Sequence, residues 1–173
     1  MKYFLKKIIK TIIFVLFIFI LAIFQITFIN HYHFLGVKLN LVLIGLLINV
    51  FSSNFITVIL GAITGGLIYD FSGLFNFMFL SSFLLTIIFF RIVGRKYLME
   101  KHLFLNFFFG FGGTIIFNFF YVLLNYLLFH ENFFYYFFSW RHCVEMFLNG
   151  IGMFTLGLIS VGAIHLKNLI WRK

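Results

Sequence analysis

The sequence predicts an all-α integral membrane protein of about six transmembrane helices. Three observations carry that prediction. Hydrophobic residues make up 64% of the 173-residue chain and only 10% of residues are charged, where soluble domains carry about a quarter; mean hydropathy is +1.13. Apolar runs follow one another along the chain, separated by short polar or charged breaks. The basic residues gather in alternate breaks, as a multi-pass topology requires. In hydrocarbon every backbone N–H and C=O must be satisfied within the protein, and helices do this segment by segment.

The first element is cationic and then apolar: Lys2, Lys6, Lys7 and Lys10 lead into a run over 8–29. A secretory signal peptide begins in the same way. This run is about 22 residues long, which covers ~30 Å at 1.5 Å per residue. No small-x-small cleavage site follows it, so an uncleaved first helix is expected. Residues 30–38 form a short polar loop. The second helix, 39–51, is short for a span, and Ser52, Ser53 and Asn54 make an uncharged turn after it. The third helix covers 55–71, Ser72-Gly73 breaks it, and the fourth covers 74–90. A charged loop occupies 91–101. The fifth helix, 103–129, is long enough to require tilt or a protruding end. The Tyr, Phe and Trp residues of 130–142 suit a membrane interface. The sixth helix covers 143–166, and a basic tail follows. No linker, low-complexity stretch or repeat divides the chain, so 1–173 reads as one domain.

With the N-terminus inside and six spans, the inner side receives Lys2, Lys6, Lys7, Lys10, Arg91, Arg95, Lys96, Lys101, Lys167, Arg172 and Lys173. The outer side receives Lys38 and Arg141. All 13 basic residues are then placed, eleven against two, and both termini are cytoplasmic. The formal charge of +9 is a topology signal, and nucleic-acid binding is excluded as its explanation. The one cysteine, Cys143, allows no internal disulfide.

Small residues concentrate in 61–73, GAITGGLIYDFSG. On a helix Gly61 and Gly65 are four apart, as are Ala62 and Gly66, and Gly66 and Asp70; Gly73 follows three later. They read as one smooth stripe that lets another helix approach closely. The segment is expected to be the one around which the other helices pack. Asp70, one of four acidic residues, lies near the outer end of its helix. Either it anchors a neighbouring helix or a partner, with Lys38 and Arg141 as the basic residues on that side, or it reaches interfacial water. Glu145 shares a helix face with Asn149 and Gly152. It either answers the helix dipole in the first turn or faces the bundle beside Asp70. Thr114, Asn118, Tyr121 and Asn125 form one polar face of the fifth helix, which suits bonds with neighbouring helices, with a polar transport path as the alternative. Gly110, Gly112 and Gly113 before it suit close packing. The histidines His31, His33, His130 and His142 read as interface residues, since a metal needs three or four ligands held together. Neither carboxylate is accompanied by a nucleophile, base or oxyanion donors, and no phosphate-binding, zinc-protease or dinucleotide motif occurs. A non-enzymatic protein without cofactor or metal is expected.

One family pattern is visible. Gln25 and Thr27 lie late in the first helix, and Gly36 lies in the loop before the second. The run Gly61, Gly65, Gly66-Leu67, Asp70 and Ser72-Gly73 follows, then a basic loop with Gly94 and Arg95. This half of the chain resembles MreD, the small rod-shape-determining membrane protein of bacteria. That family often has Pro-Asp entering the second helix, where this chain has Leu39-Asn40. The resemblance implies a scaffold in the bacterial inner membrane, working in the cell-elongation complex with an MreC-like membrane protein, an MreB-like cytoskeleton and peptidoglycan synthases. It also implies a fold like the substrate-binding subunits of energy-coupling-factor vitamin transporters. Such a subunit is the alternative function.

Overall fold

A computed structural model describes residues 2–29, 37–52, 54–73, 76–97, 103–130 and 137–170. Among the described residues six α-helices are present: α1 Lys2–Thr27, α2 Leu41–Ser52, α3 Phe55–Ser72, α4 Met78–Tyr97, α5 Leu103–Phe129 and α6 Trp140–Ile170. Several bounds differ from those read in the sequence, because polar and cationic residues continue helices whose apolar runs have ended. Thus α1 already includes the lysines from Lys2. The start of α6 takes in Trp140, Arg141 and His142, and α4 carries Arg91 in its body instead of in a loop. The start of α4 moves the other way, from 74 to Met78. The expected positions His31, His33 and Gly36 lie outside the described residues.

Among the described residues four helical stretches are long and apolar enough to cross a membrane: Phe4–Thr27, Phe55–Ser72, Leu105–Phe129 and Trp140–Ile159. The apolar parts of α2 and α4, Leu41–Val50 and Met78–Val93, are shorter. The outer surface matches this composition. On α1 alone Phe4, Leu5, Ile13 and Ile20 each expose 60% or more of their area. A continuous face of that kind is solvated by hydrocarbon at far lower cost than by water.

The helices form an arc around a central rod. In order of contact the arc runs α1, α3, α4, α5, α6, and α2 touches all five. Its residues Val42, Leu43, Ile44, Leu46, Leu47 and Val50 are no more than 2% exposed. A helix buried on most of its circumference must be largely apolar, and LVLIGLLINVFS is, with Ile48 left 42% exposed. The expectation that α3 organises the bundle is therefore corrected: α3 packs against α1, α2 and α4 only to any extent. Small residues report how closely two helices approach, not which helix is central. Aromatic rings join the arc. Phe83 and Phe117 lie 4.8 Å apart between α4 and α5, and Phe79 bridges Tyr69 of α3 and Tyr121 of α5, each at 5.0 Å. Such pairs contribute about 0.5–1.5 kcal/mol each beyond area burial.

Candidate functional site

The central helix poses a problem that its surroundings must solve. Twelve residues rise ~18 Å at 1.5 Å per residue, against a hydrocarbon core of ~30 Å. At least one end of α2 therefore stops within protein at membrane depth. The first four N–H groups and last four C=O groups of a helix have no partner inside it, and water cannot supply one there.

Side chains from three neighbouring helices supply them. At the N-terminal end Gln25 of α1 donates its amide N–H to Leu39 C=O and accepts from Leu41 N–H at 2.6 Å. Asn40 accepts from Leu43 N–H at 3.0 Å, the bond of an N-cap residue. Its own N–H donates to Asn149 Oδ1 of α6 at 2.8 Å. The other end of the Asn149 amide donates to Thr114 Oγ1 of α5 at 2.9 Å, and Thr114 donates to Gly110 C=O at 2.7 Å. Asn149 and Thr114 have no exposed area, and Gln25 and Asn40 are buried. At the C-terminal end Arg91 of α4 donates to Val50 C=O while its guanidinium lies 5.7 Å from the Phe55 ring centre. A cation at a helix C-terminus is favoured by the dipole.

The start of α4 is held in the same manner. The residue preceding it, Phe77, has φ 55°, and its hydrocarbon side chain offers no capping oxygen. Asp70 of α3 supplies two capping oxygens. Oδ1 accepts from Phe79 N–H at 3.1 Å and Oδ2 from Leu80 N–H at 3.0 Å. The carboxylate is 3% exposed and sits at the positive end of the α4 dipole. Gly66, one turn earlier, makes this possible. A Cβ there would lie 2.4 Å from Leu80 Cα and 2.8 Å from its nitrogen.

The small-residue stripe thus divides between two interfaces. Gly66 and Asp70 dock α4. Gly61 and Gly65 face the other way, where an added Cβ would meet Phe14 of α1 at 2.7 Å and Val42 of α2 at 2.6 Å. Gly73 belongs to neither. It caps α3 with φ −113°, and a Cβ there would find only ordinary contacts at 3.6 Å and beyond. Of the two readings of Asp70, the anchor is observed, with backbone N–H groups as partners in place of Lys38 or Arg141.

The polar face of α5 divides too. Thr114 and Asn118 turn to α6, whereas Tyr121 packs at a tilt against Phe79 of α4. Asn125 donates to the Tyr121 carbonyl of its own helix at 2.9 Å. Gly110 admits the α6 backbone, for a Cβ would stand 2.5 Å from Asn149 O, and Gly113 admits Leu47 of α2; Gly112 has nothing within 4 Å. Gly152 receives Ile44 in the same way. Glu145 accepts from Asn118 Nδ2 at 3.1 Å and lies 3.5 Å from His142 Nδ1. Its partners are on α5 and α6, not Asp70. Beside this pair Val37, Lys38, Arg141, His142 and Glu145 line a cavity of about 220 Å³, where Lys38 and Arg141 converge.

Chemically, these groups hold helix ends. Sequence reasoning found Asp70, Asn118, Glu145 and Asn149 but assigned no contact to Gln25, Asn40 or Arg91. The available signal was the shortness of 39–51: a span too short to reach both surfaces needs polar partners for its ends. The four Asp70, Asn149, Gln25 and Arg91 clamps reach α2 or α4 from separate helices, and no residue spacing announces which helix end each one meets. Among the described residues no three His, Cys, Asp or Glu side chains come together. Comparison with protein-family models, with curated proteins and with solved structures gives no match.

Proposed function

We propose that this chain is a non-enzymatic, six-span scaffold of the bacterial inner membrane, with both termini cytoplasmic, serving the cell-elongation complex that builds the lateral wall. The observation that supports this reading is where the buried and half-buried polar side chains bond. Gln25, Asp70, Arg91 and Asn149 each fix a helix end to another helix, which makes a rigid body suited to presenting surfaces to partners. Gln25, Gly66 and Asp70, which carry the likeness to MreD, are among these clamping positions. On this reading the partners are an MreC-like membrane protein, an MreB-like cytoskeleton and peptidoglycan synthases. Depleting the protein in its own host is expected to round the cells and to stop lateral peptidoglycan incorporation. Unchanged rod shape and lateral labelling after depletion refute the proposal. In a Cys143→Ser background, since Cys143 is itself a free exposed thiol, thiol labelling of Lys38→Cys from outside and Lys96→Cys only from inside tests the orientation; the reverse pattern inverts it.

The second reading is a substrate-binding subunit of an energy-coupling-factor vitamin transporter. The cavity lined by Lys38, Arg141, His142 and Glu145 favours it, because convergent polar groups are what a ligand pocket needs. Its ~220 Å³ is below the usual 300–1,000 Å³ of small-molecule sites. A vitamin retained through purification, or an adjacent gene pair for transporter ATPases, decides for this reading. An adjacent gene for a protein with one span, a coiled coil and an outer β-rich domain decides for the scaffold.

A further inference from the structure

A second cavity lies at the opposite end of α2, on the side of the chain's N-terminal lysines. The helices α1 and α2 are in contact where Ile18 and Leu21 meet Gly45. Toward the start of α1 a space of about 570 Å³ opens between α1, the end of α2 and the start of α3. Its polar part is formed by Lys7 and Lys10 of α1, Asn49 of α2 and Asn54 at the start of α3. Its other wall is aromatic, with Phe14 and Phe17. Both lysines are exposed. The two acidic side chains among the described residues are committed elsewhere, Asp70 to α4 and Glu145 to Asn118 and His142. The Asn54 side chain makes no cap bond to α3.

We infer that this cavity is a binding site for one anionic phospholipid, with its phosphate held by Lys7 and Lys10 and an acyl chain laid against Phe14 and Phe17. Charge complementarity selects an anion. Basic pockets between membrane helices take lipid headgroups in this way, and the volume lies within the range of small-molecule sites. The aromatic wall selects a lipid over a free anion. Phe17 is 49% exposed and continues into the apolar face of Ile13 and Ile20, 61% and 63% exposed. A soluble phosphate covers none of that wall, whereas an acyl chain covers it and continues along α1.

The test uses the full chain in detergent micelles and native mass spectrometry with added phosphatidylglycerol, phosphatidylcholine or inorganic phosphate. The expected result is one retained phosphatidylglycerol, no retained phosphatidylcholine, and no displacement by phosphate. Lys7→Gln/Lys10→Gln is expected to weaken retention about thirtyfold, from two lysine contacts near a membrane surface. Lys7→Arg/Lys10→Arg should keep it. Lys2→Gln/Lys6→Gln removes the same charge away from the cavity and should also leave it unchanged. Equal loss in both glutamine pairs, or no loss in either, overturns the site. Displacement by millimolar phosphate overturns the lipid assignment. Should Lys7→Gln/Lys10→Gln fail to fold, Phe17→Trp in a chain whose own tryptophans are replaced (Trp140→Phe/Trp171→Phe) still decides. Phosphatidylglycerol brominated on its acyl chain should quench the introduced indole more strongly than brominated phosphatidylcholine; equal quenching overturns the inference.

Discussion

The contact between Gly66 and Leu80 allows a sharp test of how α3 holds α4. In Gly66→Ala the new methyl would start 2.4 Å from Leu80 Cα. Ordinary contact begins near 3.4 Å, so the two backbones must part by about 1 Å at this point, and overpacking of this kind costs typically 1–3 kcal/mol. The same movement acts on Asp70, because its bonds to Phe79 N–H and Leu80 N–H, now 3.1 and 3.0 Å, stretch toward ~4 Å and cease to be hydrogen bonds. Each charge-assisted bond of this type contributes about 1.5–3 kcal/mol. Gly66→Ala alone is therefore expected to destabilise by ~3 kcal/mol or more. Asp70→Asn keeps one acceptor and turns an amide N–H toward the other donor, for a loss of ~2 kcal/mol. The double variant should cost little more than Gly66→Ala, since the first change has already broken what the second removes. The assay is unfolding in mixed micelles by titration with SDS, followed by intrinsic fluorescence, for all four proteins. The expected coupling is 1–2 kcal/mol below additivity, within the range seen for residues that share a partner. Additive effects within ~0.5 kcal/mol, or a Gly66→Ala protein as stable as the parent, would refute the shared docking of α4.

The other predictions use the same unfolding measurement. Asn149→Leu strands the Asn40 N–H at the buried start of α2 and should cost about 3 kcal/mol, more than Thr114→Val, which removes only the hydroxyl that Asn149 donates to. Arg91→Met keeps an apolar stem but leaves Val50 C=O without its donor and Phe55 without its cation; a loss of about 2 kcal/mol is expected, with Arg91→Lys intermediate because an ammonium lacks the planar fork. Gly73→Ala should be neutral within ~0.5 kcal/mol, since its φ of −113° and open surroundings accept a methyl group.

Much of the architecture follows from local sequence. Runs of Phe, Ile and Leu without proline specify helices, and the polar breaks at 52–54 and 72–73 place two of their ends. Their hydropathy makes four of them long and apolar enough to span. The glycines at 61, 65 and 66 announce close helix contacts, and each makes one. Asp70 announces either an anchor or a carboxylate in interfacial water, and it is buried, as is Asn149. Local sequence could not say that the glycines serve two interfaces, or that the short, featureless α2 is the centre of the bundle. Residues one position apart on a helix, such as Gly65 and Gly66, are separated by 100° of rotation, and only the placement of the neighbouring helices decides what each direction meets. Nor could it pair Gln25 with Leu39 and Leu41, or Arg91 with Val50, because these bonds join side chains to backbone groups, which every residue carries and no residue advertises. The sequence by itself determined the helices, their medium and the residue types that must find partners inside it. The tertiary structure decided which partners they found, because a buried helix end takes whichever donor or acceptor its neighbours bring within reach.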